Sequence, residues 1–139
     1  MAYATLADMT TRYSERELLE VTTPPGEAFG EIDAGMVGTA LDDASSEMDG
    51  YFRRRYAVPV QNVPAKMVSV CCALARFNLC ETGYVIAGEK VTEAHKNALS
   101  WLRRVSDGSF VLEGALTPNT SETWASFQSR PADYQGSFG

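Results

Sequence analysis

The 139 residues are enough for one domain with a single core and some polypeptide left over. With 45% apolar and 22% charged residues, the composition is that of an ordinary soluble globular chain. No apolar run approaches the roughly 18–20 residues that cross a bilayer, and the opening lacks the basic patch and apolar core of a secretory signal. The expectation is a cytosolic protein with no membrane partner. A formal charge of −6 and a pI near 4.7 argue against general duplex binding, which draws its affinity from Lys and Arg on phosphates. They leave room for a protein that surrounds DNA without gripping it.

Helix starts come early. Thr5 with Asp8 reads as a capping box and Ser14 with Glu17 as a better one, with Tyr13 and Leu18 at hydrophobic-staple positions. Two short helices are predicted, over about 5–12 and 15–22. The Thr22-Thr23-Pro24-Pro25-Gly26 run then breaks the pattern, and a loop runs to about Glu31. Asp33 can cap the next helix. Val37, Leu41, Ala44, Met48, Tyr51 or Phe52, and Tyr56 recur every three or four residues, predicting a helix of about 23 residues that ends before Pro59. Between them, Asp42, Asp43, Ser46, Glu47 and Asp49 would face water or a partner.

Pro64 suits the first turn of a further helix carrying Met67, Val70, Cys71, Leu74, Phe77 and then Cys80 or Glu81, to about Thr82. Cys72, Ala73 and Ala75 make this helix apolar on more than one side, so it should be the most buried element. After Gly83 and Gly88, Thr92 opens a last helix with Ala94, Ala98, Trp101 or Leu102, and Val105 inward; Gly108 suits a left-handed C-terminal cap. The expected fold is all-α: a small bundle of four to five helices over residues 1–108, followed by an extended C-terminal arm over 109–139. The arm has few charges, a strand-like Phe110-Val111-Leu112 patch, and four spaced aromatics, Trp124, Phe127, Tyr134 and Phe138. Disordered tails are poor in aromatics, so the arm reads as a segment that folds onto a neighbouring subunit or another protein.

Chemistry-bearing groupings are scarce. His95 has no Cys or second His in helical register, whereas a metal site needs three or four convergent ligands. Cys71, Cys72 and Cys80 lack CxxC spacing and read as buried small hydrophobes. There is no nucleophile elbow and no glycine-rich phosphate loop. No cofactor, no metal, no catalytic residue and no enzymatic activity are expected. Arg53-Arg54-Arg55 cannot all face one ligand on a helix, whose successive residues point about 100° apart. They suit a helix C-terminus, or intersubunit pairing with the acidic face Asp42, Asp43, Glu47 and Asp49. Acid towards one end of a helix and base at the other fits head-to-tail association in a ring.

Several stretches together carry a family resemblance. They are the opening Met1-Ala2-Tyr3-Ala4-Thr5-Leu6-Ala7-Asp8-Met9 with Arg12-Tyr13, the run from Ala40 to Tyr51, Arg55-Tyr56-Ala57-Val58-Pro59-Val60, Val63-Pro64, Cys72 to Phe77, and Ala98 to Leu102. In order and spacing over about residues 1–108 they resemble the small head-tail connector (head-completion or adaptor) proteins of Mu-like phages and prophages. The resemblance implies an all-α connector subunit, twelve copies in a ring below the portal protein, and a tail or tail-terminator protein on the far side. Double-stranded DNA would pass through the lumen without sequence-specific binding. It implies a place in the virion at the head-tail interface, reached from the host cytoplasm. Its arm is similar to an aromatic-and-Arg ending, here Ser129-Arg130-Pro131 with Tyr134 and Phe138, and Trp124, Phe127, Arg130, Tyr134 and Phe138 become candidate anchors to the portal or a neighbour. Competing readings are a small helical DNA-binding or packaging accessory protein, which needs a clustered basic face, a helical enzyme domain, and a tail-completion protein.

Overall fold

A computed structural model describes residues 2–112, and in them the chain forms five helices and no strand. These are α1 (Leu6–Tyr13), α2 (Glu15–Thr22), α3 (Ala34–Phe52), α4 (Ala65–Thr82) and α5 (Glu89–Asp107). The expected all-α class and helix count hold. α4 touches each of the other four, and its buried side chains, Met67, Val70, Cys71, Cys72, Ala73, Leu74, Ala75 and Leu79, cover more than one face. An all-round apolar helix must be central, because any outward side would expose it to water.

The caps explain the boundaries. Thr5 and Asp8 form a reciprocal box, with the Asp8 N–H donating to Thr5 Oγ1 at 3.2 Å and the Thr5 N–H to Asp8 Oδ2 at 2.9 Å. Asp33 Oδ1 accepts from the Met36 N–H at 3.1 Å, and the Asp33 N–H donates to Thr22 Oγ1 at 3.3 Å, joining the start of α3 to the end of α2. Ser14 caps α2 through Glu17 N–H, yet the expected box with Glu17 does not close: that carboxylate is taken by Arg76 of α4. A tertiary ion pair has overridden the local one.

Ser14 also terminates α1, which puts it at φ 98°, ψ 150°. That region is nearly reserved for glycine and costs a side-chain-bearing residue about 1–3 kcal/mol. A Ser cap replaced by Gly loses only a few tenths of a kcal/mol. Ser14→Gly is therefore expected to raise the chemical-denaturation midpoint, and Ser14→Ala to lower it.

Two boundaries differ from expectation. α3 has 19 residues and stops at Phe52, short of the expected Tyr56. The residue before proline disfavours helix, so the chain must turn before Val58-Pro59. It does so with both the Arg55 and the Tyr56 N–H bonded to the Phe52 carbonyl. Tyr56 keeps its buried place from the turn, and its hydroxyl accepts from the Leu112 N–H at 3.0 Å. α5 starts at Glu89, three residues before the expected Thr92, because burying Val91 draws the preceding turn into the helix, where the Thr92 N–H meets the Gly88 carbonyl. Gly108 takes the left-handed cap at φ 92°. Beyond it the strand-like patch Phe110-Val111-Leu112 forms no strand among the described residues: Phe110 lies in a bend, its N–H bonded to the Arg104 carbonyl at 3.1 Å.

Candidate functional site

On α3, Asp42, Asp43 and Glu47 are exposed. Asp49 departs from the expected outward acidic face: it is half-buried and accepts a hydrogen bond from the Tyr3 hydroxyl. Arg53, Arg54 and Arg55 are exposed and follow the last turn of α3, where unpaired carbonyls favour cations. From residue 42 to residue 53 the helix rises about 16 Å at 1.5 Å per residue. The ion pairs among the described residues are Arg16–Glu20 and Arg76–Glu17, so the acids of α3 and the arginine trio are not paired with each other within one chain.

Tyr3 binds the N-terminal segment to this end of α3. Its N–H donates to Ser45 Oγ at 2.9 Å, its hydroxyl accepts from the Val60 N–H at 2.9 Å, and its ring meets Phe52 edge-on at 6.1 Å. Ser45 in turn donates to the Leu41 carbonyl and lies 3.5 Å from Cys71 Sγ. Each buried polar atom of this set therefore has a partner, which is what makes it tolerable in the core. Burial and the Asp49 carboxylate push the Tyr3 hydroxyl well above its ordinary range, holding it protonated.

Burial likewise pushes the Cys72 thiol from 9.0 to about 12 and raises Cys71 and Cys80. Below pH 9 the thiol is neutral in both states and its contribution is fully present; between 9 and about 12 the unfolded chain ionises and the folded one does not, so stability falls. The raised Tyr3 hydroxyl extends the loss above its ordinary value of 10.0. The urea midpoint should drop between about pH 8 and about pH 10.5, and Cys72→Ala should flatten part of that drop. An unchanged midpoint would contradict this assignment of burial.

The end of the bundle where α3 and α5 finish is cationic. The Arg55 guanidinium lies over Gly108, 2.9 to 3.2 Å from where a Cβ would stand. Arg103 and Arg104 are exposed on the last turns of α5, and Arg104 lies 5.4 Å from the Phe110 ring centroid. Asp107 is held below the ordinary carboxylate range, first by hydrogen bonds from Ser109 and then by Arg104 and Arg54. Arg103 and Arg104 escaped the sequence reading, although two arginines in the last turns of a predicted helix were the available signal. The arm residues Trp124, Phe127, Arg130, Tyr134 and Phe138 lie outside the described residues.

Elsewhere the side chains do structural work. His95 stacks on Phe77, with ring centroids 3.8 Å apart. Arg76 makes a bidentate pair with Glu17 at 2.6 and 2.9 Å and covers the Tyr13 ring at 4.2 Å, joining α1, α2 and α4. No group of three or more His, Cys, Asp and Glu side chains converges as a metal site among the described residues, and none of their helices is long and apolar enough to cross a membrane.

Comparison with known proteins adds an independent line. A family model described as "Bacteriophage Mu, Gp36" matches residues 3–129. "Gene product J" of Escherichia phage Mu is 36% identical over 108 residues, which is 78% of this chain and 74% of the relative. "Mu-like prophage FluMu protein gp36" of Haemophilus influenzae is 28% identical over 110 residues, 79% of this chain and 74% of the relative.

Proposed function

The chain belongs to the Bacteriophage Mu Gp36 family, and from that premise we propose that it is a structural head-tail connector subunit of a tailed phage, not an enzyme. The observation that carries the reading is the extent of the family likeness, residues 3–129, in a chain whose exposed α3 acids Asp42, Asp43 and Glu47 form no ion pair among the described residues. In this reading subunits form a ring beneath the portal protein, twelve by the resemblance, lengthen the DNA channel, and present a surface to the tail or its terminator protein. The working place is the virion. Asp42, Asp43 and Glu47 of one subunit face Arg53, Arg54 and Arg55 of the next, with Asp49 supporting the acidic side from its bond to Tyr3.

A net charge of −6 suits a channel that must not hold its cargo. Repulsion between an acidic wall and the duplex reaches about one Debye length, roughly 8 Å at physiological salt. The bundle over residues 1–108 is the ring-forming unit, and the segment over 109–139 anchors it through Trp124, Phe127, Arg130, Tyr134 and Phe138 to the portal or the adjacent subunit.

The test is genetic and structural together. Phage lacking this chain should accumulate DNA-filled heads and separate tails that join when the purified protein is added back. Normal tailed particles without it would remove the proposal. Deleting residues 113–139, which spares the buried Leu112, should abolish retention on purified portal-bearing heads, and unchanged retention would remove the anchoring role.

A further inference from the structure

Charge is polarised along the bundle. α4 runs antiparallel to both α3 and α5: Ser45 meets Cys71 while Thr39 and Asn78 line one groove, and Phe77 stacks on His95 while Val70 and Ala98 line another. α3 and α5 therefore run parallel and finish together, as the contacts Phe52–Trp101 and Arg55–Gly108 require. That end carries exposed Arg53, Arg54, Arg55, Arg103, Arg104 and Lys66 against the exposed Asp107. The opposite end, made by the loops over 23–33 and 83–88, carries exposed Glu20, Glu27, Glu31, Asp33, Glu81 and Glu89. Of the cations there, Arg16 is already paired with Glu20, which leaves Lys90.

Each end also exposes apolar side chains. At the acidic end Glu20, Glu27, Phe29, Tyr84 and Val85 line one depression, and Ile86 beside it is 92% exposed. At the basic end Lys66, Trp101, Phe110, Val111 and Leu112 line an open cleft of about 480 Å³, with Val111 73% exposed. Isolated exposed apolar residues are ordinary, but a cluster rimmed by charge of one sign marks an interaction surface.

We propose that the acidic tip of one copy seats on the basic cleft of a second copy, head to tail, with Ile86 entering the cleft at Trp101 and Phe110. Charge decides the occupant. Two acidic tips repel each other, and so do two basic ends, which disfavours a symmetric dimer through either surface. Residues 113–139 carry Glu113, Glu122 and Asp133 against Arg130, so they are a poor match for the acidic tip. Among the described residues, the surface complementary to the acidic tip is the far end of the same molecule. Such a contact is heterologous, and it propagates into a ring when the rotation closes. It uses a different acidic surface from the outer face of α3, and its cations are Lys66 and Arg104 at the cleft with Arg103 beside them, which leaves Arg53, Arg54 and Arg55 to the α3 acids; it requires no phage component.

The test uses the purified full-length chain. Residues 86 and 111 sit at opposite ends, so a disulfide between them can form only across copies. Under oxidation at low salt, Ile86→Cys with Val111→Cys should give a ladder of covalent multimers that collapses on reduction and is lost at high salt. Each single variant should give no more than dimers, and a mixture of the two should give more dimer than either alone. Lys66→Glu, Arg103→Glu and Arg104→Glu together should remove the ladder; Glu27→Arg, Glu31→Arg and Glu89→Arg added to them should restore it. Absence of the ladder, a ladder indifferent to salt and to charge reversal, or dimers of Ile86→Cys alone exceeding those of the mixture would overturn the proposal. None of these results bears on whether the chain joins heads to tails, which the add-back experiment decides separately.

Discussion

Phe52→Ala is expected to cost about 3–5 kcal/mol, the range for truncating a fully buried phenylalanine. Phe52 is completely buried at the end of α3, with its ring edge-on to Tyr3 at 6.1 Å and to Trp101 at 6.3 Å. Each edge-on pair adds about 0.5–1.5 kcal/mol beyond the area buried. Removing the ring frees the N-terminal segment held by Tyr3 and loosens α5 against α3, so the arginine-bearing end loses its shape along with its stability. A single domain holds only about 5–15 kcal/mol in total, so the urea midpoint should fall by about a fifth or more. Phe52→Leu keeps most of the volume and should lose far less. Equal losses for the two variants would show that the ring pairs do not organise this end.

The second large effect is expected from a glycine. A Cβ on Gly83 would stand 2.4 Å from the Leu79 carbonyl oxygen and 2.5 Å from that of Val21. Both obstacles are backbone, so neither can swing aside, and the ends of α2 and α4 would have to separate. Overpacking of this kind costs about 1–3 kcal/mol and occasionally more, and Gly83→Ala should sit at the upper end. At roughly 4–8 °C per kcal/mol for a domain near this size, Tm should fall by on the order of 10 °C. Gly88→Ala is the control: nothing lies within 4 Å of its Cβ position. A drop no larger than the control's would mean that α2 and α4 do not meet as described.

Local signals were legible where the chemistry is local. The Thr5–Asp8 box, the Asp33 cap and the left-handed Gly108 were each readable within a few residues, and each stands in the fold. The apolar pattern of residues 67–75 likewise marked α4 as the buried centre, because an all-round apolar helix has no other place to go.

What could not be read is long-range. Tyr3 lies 42 residues from Ser45 and 57 from Val60, and no spacing rule links a tyrosine ahead of the first helix to either. The Arg76–Glu17 pair spans 59 residues, and it removed the carboxylate that would have closed the Ser14 box. The three-to-four-residue period carried on to Tyr56 past the true end of α3, since a buried tyrosine in a turn imitates one more helical position. For the candidate site, the outward Asp42, Asp43, Glu47 and the arginine trio were visible as charges on a periodic helix. The polarity of the whole bundle was not, because it depends on α3 and α5 being parallel, which hydrophobic periodicity does not encode.

A head-tail connector subunit must be found in the phage neck. Electron cryo-microscopy of intact particles of the parent phage tests it most directly. A ring of five-helix bundles is expected between portal and tail, into whose density α1 to α5 fit as a unit. A neck resolved at helix level without these bundles, or particles whose protein content lacks this chain, would contradict it.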